Sequence, residues 1–103
     1  MHILVVDDKA IIRQKIVDIL SEFDFSVETA SNGLDGHEKA VNGNYDLYIV
    51  DHLMPIMDGL QLVKNLKSKP RTADVPVLFM TTQDRNEVEK LAEFHLFNSV
   101  IIK

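Results

Sequence analysis

Four continuous apolar runs place the strongest constraint on the fold of this chain. They are Ile3 to Val6, Leu47 to Val50, Val77 to Met80 and Val100 to Ile102. Apolar runs without polar alternation are typical of strands in a parallel sheet that is covered on both faces. A fifth segment, Phe25 to Thr29, alternates more between apolar and polar residues and suits a strand at the sheet edge.

Segments with helical periodicity lie between these runs. Four segments are predicted to be helical: Ile12 to Phe23, Leu34 to Val41, Leu60 to Leu66 and Asp84 to Phe94. The last of them begins with an aspartate and has Glu87 three residues later, which is the spacing of a capping box. Strict alternation of strand and helix predicts an α/β domain with a parallel sheet and right-handed crossovers.

Reactive side chains follow the apolar runs at the carboxyl ends of the predicted strands. Asp7 and Asp8 follow the first run, Asp51 the second, Thr81 the third and Lys103 the last. In open α/β sheets the functional crevice lies beyond the carboxyl ends of the strands. We therefore expect these five side chains to converge on one edge of the sheet.

Three carboxylates in one crevice repel one another, so a bound cation is expected among them. Mg²⁺ characteristically uses one or two carboxylates together with waters and phosphate oxygens. A carboxylate can also act as a nucleophile toward a phosphoryl group and form an acyl phosphate. The ammonium group of Lys103 is suited to a phosphoryl oxygen, which makes phosphoryl transfer the predicted chemistry.

Composition excludes several other classes of protein. The 103 residues contain no cysteine, which rules out disulfides and thiolate metal sites. No apolar run is long enough to span a membrane, and the amino terminus lacks the pattern of a signal peptide. The net charge is −5 at pH 7 and argues against direct nucleic-acid binding. We expect one soluble, cytoplasmic domain.

The motifs VVDD, DHLMPIMDG, VLFMTT and VIIK occur in this order, and together they resemble the receiver domain of two-component response regulators. The resemblance to this CheY-like family covers the chain from Met1 to Lys103. It implies a doubly wound, flavodoxin-like sheet of five parallel strands in the order 2-1-3-4-5. It also implies a regulatory phosphoacceptor domain rather than an enzyme, with at most self-phosphorylation from small donors and slow self-dephosphorylation.

The resemblance implies a role for each site residue. Asp51 is the expected phosphoacceptor, and Asp8, Asp51 and the backbone carbonyl of Leu53 are expected to bind Mg²⁺, for which Mn²⁺ can substitute. Asp7 is expected to assist the metal through water. Thr81 is the expected switch hydroxyl, and Lys103 is expected to pair with the phosphate. The implied partners are a sensor histidine kinase or phosphotransfer protein and a downstream protein or output domain.

The chain departs from the family pattern near its last strand, where Leu96 and Phe97 replace the usual Gly-Ala pair. Val100 stands where the family has an aromatic switch residue, so signal output by aromatic rotation is not expected here. Leu53 and Gln83 occupy positions that tune the lifetime of the acyl phosphate in the family. An apolar Leu53 cannot orient a hydrolytic water by hydrogen bonding, which favours a longer-lived phosphate. The loop residues are expected to be structural: Met54, Pro55, Asp58 and Gly59.

The resemblance also implies that the receiver domain formed by residues 1–103 is incomplete, with the family's fifth helix missing from this chain. Without that helix, the apolar side of the last strand and part of the first helix are expected to be bare. A disordered or absent tail, a truncated chain, and a homodimer through this face are three explanations. The face makes a homodimer one expected partner arrangement.

Two other functions compete with that of a phosphoacceptor domain. A pseudo-receiver would bind partners without phosphorylation, and Val100 is the residue that keeps this alternative open. A phosphohydrolase of the haloacid-dehalogenase type would need a second acid at the position of Leu53, so it is less favoured. The four histidines show no ligand spacing and are interpreted as surface residues: His2, His37, His52 and His95.

Overall fold

The apolar runs form one parallel sheet in the computed structural model, which describes residues 1–103. The strands lie in the order β2-β1-β3-β4-β5, which confirms the predicted fold class. Within the register, Asp51 pairs with Met80 and Thr81 pairs with Ile102. The carboxyl ends of β3, β4 and β5 therefore lie within about one residue of one another along the strand direction. The strands are β1 (His2–Val6), β2 (Ser26–Ala30), β3 (Leu47–Asp51), β4 (Val77–Thr81) and β5 (Ser99–Ile102).

Five α-helices connect the strands: α1 (Ala10–Leu20), α2 (Gly33–Asn42), α3 (Gly59–Lys67), α4 (Pro70–Ala73) and α5 (Arg85–Glu89). Two short 3₁₀ helices, Ser21–Phe23 and Phe94–Leu96, complete the elements. Side chains cap α2, α3 and α5 at their amino ends, because Asn32, Asp58 and Asp84 each accept a backbone N–H three residues later. None of the five helices has the length and hydrophobicity needed to cross a membrane.

The helix predicted over Asp84 to Phe94 is shorter than expected. Only Arg85–Glu89 is α-helical, and the chain then turns through the 3₁₀ helix at Phe94–Leu96. The ring of Phe97 stacks on Phe79 of β4 at a centroid distance of 4.0 Å. The segment packs back onto the sheet instead of continuing the helix. Burial of its aromatic side chains stabilises the fold by more than the helix propensity of a few additional residues would.

Helix α4 was not predicted. Pro70 occupies its first turn, a position that favours proline because no N–H is needed there. The hydroxyl of Thr72 donates to the Leu66 carbonyl at 2.5 Å. The ammonium group of Lys67 donates to the carbonyls of Ala73 and Val75 at 3.0 and 2.8 Å. These bonds give hydrogen-bond donors to backbone carbonyl groups on both sides of α4. The helix itself is too short to show helical periodicity in the sequence.

The two faces of the sheet are covered unequally. The larger core contains twelve buried residues, including Tyr48, Val50 and Phe79 of the sheet and Leu62 and Leu66 of α3. The smaller core has four buried residues, all in the sheet and packed against α1: Ile3, Val5, Ile49 and Met80. A largely apolar groove of about 170 Å³ remains open beside α1. Ile19 of α1 and Ile101 of β5, which line this groove, are exposed, as predicted for this side of the last strand.

The loop between β3 and α3 contains a strained residue. Ile56 has φ of 71°, in the left-handed region that β-branched residues avoid. The turn is tight, because the Met57 N–H donates to the Pro55 carbonyl at 2.8 Å. The Ile56 side chain is 75% exposed, so it gains little from burial.

We therefore expect Ile56→Gly to stabilise the domain by about 1 kcal/mol, the strain released less the added entropy of glycine in the unfolded chain. Urea denaturation of the two proteins measures this difference. Ile11→Gly, at an exposed position with ordinary helical geometry in α1, serves as the contrast and should destabilise. Equal or lower stability of Ile56→Gly would show that the turn is not strained.

Candidate functional site

The polar residues at the ends of the strands meet at one edge of the sheet. Asp7 directly follows β1, Asp51 ends β3, Thr81 ends β4 and Lys103 follows β5. The parallel register brings these carboxyl ends together from neighbouring strands. The structure thus places all four on the predicted edge, with Asp8 next to Asp7.

Three carboxylates form the centre of this site. One oxygen atom from each of Asp7, Asp8 and Asp51 lies within 4.8 Å of the others. Asp7 is fully buried and Asp51 is 3% exposed, whereas Asp8 faces solvent. The backbone N–H of Lys9 donates to Asp7 Oδ1 at 2.8 Å, and the Arg13 guanidinium donates to the Asp7 carbonyl oxygen at 2.7 Å. These bonds fix the turn that carries the acidic pair.

The two oxygens of Asp51 have different surroundings. Oδ1 accepts a hydrogen bond from the Lys103 ammonium group at 2.5 Å. Oδ2 is buried and accepts no hydrogen bond, and its nearest cation is Lys9 Nζ at 3.7 Å. A buried carboxylate oxygen without a hydrogen-bond donor is costly, so this atom is suited to binding a cation or another ligand.

Lys103 links the carboxylates from the end of β5. Besides Asp51, its ammonium group contacts Asp7 Oδ2 at 3.4 Å. Its backbone N–H donates to the Thr81 carbonyl at 2.7 Å, which continues the pairing of β4 with β5 beyond Ile102. The lysine side chain is 21% exposed, so the charge is partly shielded from water. The position agrees with the expectation that Lys103 reaches the crevice.

Lys9 is a site residue that the sequence analysis missed. Its ammonium group lies 3.2 Å from Asp8 Oδ1 and 3.7 Å from Asp51 Oδ2. The hydrogen bond to Asp8 raises the pKa of Lys9, partial burial opposes it, and the charge of Asp51 adds to the increase. The signal was present in the sequence, since Lys9 directly follows the acidic pair.

His52 is the second site residue that was misjudged, because the interpretation as a surface histidine is wrong. His52 is 4% exposed, and its Nδ1 lies 2.8 Å from the hydroxyl oxygen of Thr81. Tyr48, Val50 and His52 alternate along β3 and its extension, which places the imidazole on the face of the larger core. Burial lowers the pKa of His52, while the charges of Asp58 and Asp51 act in the opposite direction.

Asp58 and Gly59 have structural roles in the loop between β3 and α3, as expected. Asp58 accepts the Gln61 N–H at 2.9 Å and caps α3. The N–H of Gly59 donates to the His52 carbonyl at 2.8 Å. A Cβ atom at Gly59 would lie 2.1 Å from the Asp51 carbonyl oxygen, so only glycine allows this approach. Leu53 lies on the same loop with its side chain 58% exposed.

The donor set fits a hard divalent cation. Asp7, Asp8 and Asp51 offer only oxygen atoms, which Mg²⁺ prefers, and no histidine or thiol competes within the cluster. Oδ2 of Asp51, which accepts no hydrogen bond, could bind a metal ion in such a site or act as a nucleophile. The three carboxylates are therefore the residues that could hold a metal ion here.

Solved structures with the same fold include several receiver proteins. The chemotaxis response regulator CheY4 of Vibrio cholerae matches with a TM-score of 0.91 and 30% identity, over 99% of this chain and 85% of that one. The response regulator TrrA of Thermotoga maritima, solved in complex with Mg²⁺ and BeF, matches with a TM-score of 0.88 and 30% identity over the same shares of the two chains.

Relatives of similar sequence are regulatory proteins. The transcriptional regulatory protein SrrA of Staphylococcus aureus is 34% identical over 90 residues, which are 85% of this chain and 36% of that protein. The gliding motility regulatory protein of Myxococcus xanthus is 35% identical over 82 residues, which are 80% of this chain and 11% of that protein. The chain therefore spans well under half the length of these two relatives.

The family model of the response regulator receiver domain matches residues 3–102, which is nearly the whole chain. This match agrees with the strand order and with the acidic cluster at the sheet edge. The chain belongs to the receiver domain family of two-component response regulators.

Proposed function

We propose that this domain accepts a phosphoryl group on Asp51 and that the modification controls a partner protein or an output domain. The observation that carries the proposal is the asymmetry of the Asp51 carboxylate. Lys103 holds Oδ1, whereas the buried Oδ2 has no hydrogen-bond donor. An oriented oxygen with free lone pairs is what nucleophilic attack on phosphorus requires.

The transfer has a simple atom balance. Asp51 Oδ2 forms a bond to phosphorus, and the bond between phosphorus and the donor nitrogen breaks. The leaving nitrogen keeps the electron pair and takes up a proton. A phosphohistidine of a sensor kinase or of a phosphotransfer protein has this bond, and so does the small donor phosphoramidate. The product is a mixed anhydride, which water hydrolyses slowly.

Asp8, Asp51 and the Leu53 carbonyl are the residues proposed to hold Mg²⁺, with Asp7 acting through water. The ion would neutralise the negative charge of the phosphoryl oxygens, and Mn²⁺ could serve in place of Mg²⁺. Asp7 also forms an ion pair with Lys103, which helps to keep the ammonium group of that lysine in the crevice. Lys103 is already within 2.5 Å of Asp51 and therefore lies where a phosphoryl oxygen needs a positive charge.

The proposal is tested by intact mass spectrometry after incubation with phosphoramidate. We expect one phosphoryl increment in the presence of Mg²⁺ or Mn²⁺ and none after chelation with EDTA. Absence of the increment from a folded, Mg²⁺-bound chain would contradict the proposal and favour a phosphorylation-independent binding module. Sustained release of phosphate from exogenous monoesters would instead indicate a phosphohydrolase.

Lys9 provides a separate test of the metal site. Its ammonium group occupies the space between two proposed ligands, Asp8 and Asp51, and has to leave when a cation binds. Exposed ion pairs are weak, so we expect Lys9→Met to lower the Kd for Mg²⁺ by about two- to fivefold. Isothermal titration calorimetry measures this change.

Lys15→Met is the matched control, since Lys15 is an exposed lysine on α1 without an ion pair in the site. Its Kd for Mg²⁺ should stay at the wild-type value. If Lys9→Met also leaves the Kd unchanged, Lys9 does not compete with the metal.

A further inference from the structure

The hydroxyl group of Thr81 makes two hydrogen bonds in this structure, and neither is to the acidic cluster. Its oxygen lies 2.8 Å from His52 Nδ1 and accepts the Gln83 backbone N–H at 3.1 Å. It makes no hydrogen bond to Asp51 or Lys103. A hydroxyl has one proton and two lone pairs. With Nδ1 of His52 as the acceptor, the two contacts use the proton and one lone pair, so the hydroxyl has to leave Nδ1 before it can donate elsewhere.

His52 is held through both its backbone and its ring. Its backbone N–H donates to the Met80 carbonyl at 2.9 Å, and its carbonyl accepts the Gly59 N–H at 2.8 Å. Its ring also packs on Phe79 at a centroid distance of 5.1 Å. The contact with Phe79 holds the imidazole on one side, and we expect Thr81, whose hydroxyl is redirected by rotation about a single bond, to be the group that moves.

The neighbouring strand offers no alternative partner for the hydroxyl. Val100 lies on the same face of the sheet and packs against the larger core. A valine side chain neither donates nor accepts hydrogen bonds. The contact with His52 is therefore the one side-chain hydrogen bond that fixes the direction of the Thr81 hydroxyl.

We propose that His52 is a positioning residue that holds the Thr81 hydroxyl away from Asp51 and so opposes the phosphorylated state. This inference rests on the proposed function. When a phosphoryl group is present, the hydroxyl leaves Nδ1 and donates to a phosphoryl oxygen. Phosphorylation then includes the loss of one buried hydrogen bond, which slows it.

Two substitutions separate this role from simple packing. His52→Phe keeps a ring against Phe79 but removes the hydrogen bond. His52→Asn places an amide group near the position of Nδ1 and preserves the bond. We expect His52→Phe to be phosphorylated by phosphoramidate and Mg²⁺ about two- to tenfold faster than wild type, as follows from one neutral hydrogen bond. His52→Asn should react at nearly the wild-type rate.

A double-mutant cycle shows whether the effect acts through Thr81. In the Thr81→Val background, which lacks the hydroxyl, we expect His52→Phe to leave the rate unchanged. An increase that persists there in full would overturn the proposal, and so would a wild-type rate for His52→Phe in the original background.

The resting contact can also be measured without phosphorylation. Three-bond NMR couplings to the Thr81 methyl carbon report its χ1 rotamer, which should be single in wild type and His52→Asn and averaged in His52→Phe. A single unchanged rotamer in all three proteins would overturn the positioning role.

If His52→Phe does not fold, His52→Leu is used in the same assays. A wild-type chain that takes no phosphate contradicts the proposed function, while the rotamer measurement still decides this contact.

Discussion

Asp51→Asn is expected to abolish the phosphoryl increment completely. The substitution keeps the shape of the side chain but replaces the nucleophilic carboxylate with a neutral amide. No second carboxylate is presented in the same way, because Asp7 is fully buried with Oδ1 bound by Lys9 and Oδ2 beside Lys103. Asp8 is exposed and lies at the mouth of the site. Intact mass spectrometry with phosphoramidate and Mg²⁺ measures the outcome.

The matched control is Asp74→Asn. Asp74 is an exposed aspartate at the end of α4 and is not part of the acidic cluster. Its substitution by asparagine removes the same negative charge as Asp51→Asn. It should retain the full increment. An increment of wild-type size in Asp51→Asn would place the phosphoacceptor elsewhere and contradict the assignment of Asp51.

Gly59→Ala is expected to destabilise the domain by about 3 kcal/mol or more, at the upper end of overpacking effects. Its Cβ atom would lie 2.1 Å from the Asp51 carbonyl oxygen and 3.1 Å from the His52 Cα. Both neighbours are backbone atoms that cannot rotate away. Relief of the clash has to move the end of β3 or the start of α3, so we also expect a lower rate of phosphorylation.

Thermal unfolding by circular dichroism measures this effect, and a fall in Tm of roughly 10–20 °C is expected for a domain of this size. Gly43→Ala is the control, because its Cβ would meet mainly the ring edge of Tyr45, with the nearest backbone atom, the Lys39 carbonyl oxygen, at 3.2 Å. A side chain can adjust, so the loss there should be smaller. Equal stability of Gly59→Ala and wild type would refute the close approach of loop and strand.

Much of the candidate site could be predicted from the sequence because of a topological rule. Asp7, Asp51, Thr81 and Lys103 each follow an apolar run, and parallel strands bring their carboxyl ends together. The structure places all four at this edge. The side chains that complete the surroundings could not be predicted in this way. The position of Lys9 beside Asp8 follows from the sequence, but its contact with Asp51 depends on how the turn after β1 lies against the end of β3.

His52 illustrates a part of the site that pattern reasoning gives only incompletely, because alternation along β3 assigns a face to the imidazole but gives neither its burial nor its partner. A histidine directly after a strand usually faces solvent, and nothing in the sequence shows which residue lies opposite. Its burial depends on the position of α3, which is fixed by the contact between Gly59 and the His52 backbone. Its partner, Thr81, is 29 residues away along the chain.

The sequence by itself determined the fold class, the number of strands and the residues at their carboxyl ends. These features depend on local patterns, namely apolar runs, helical periodicity and the polar residue that follows each run. The short helix α4, the early end of α5, the position of Lys9 and the hydrogen bond between His52 and Thr81 were decided only by the tertiary structure. The reach of Lys9 to Asp51, the early end of α5 and the bond between His52 and Thr81 depend on contacts between segments distant in sequence, whose energies compete with local preference. Helix α4 is held by nearby residues but is too short to show a periodic pattern.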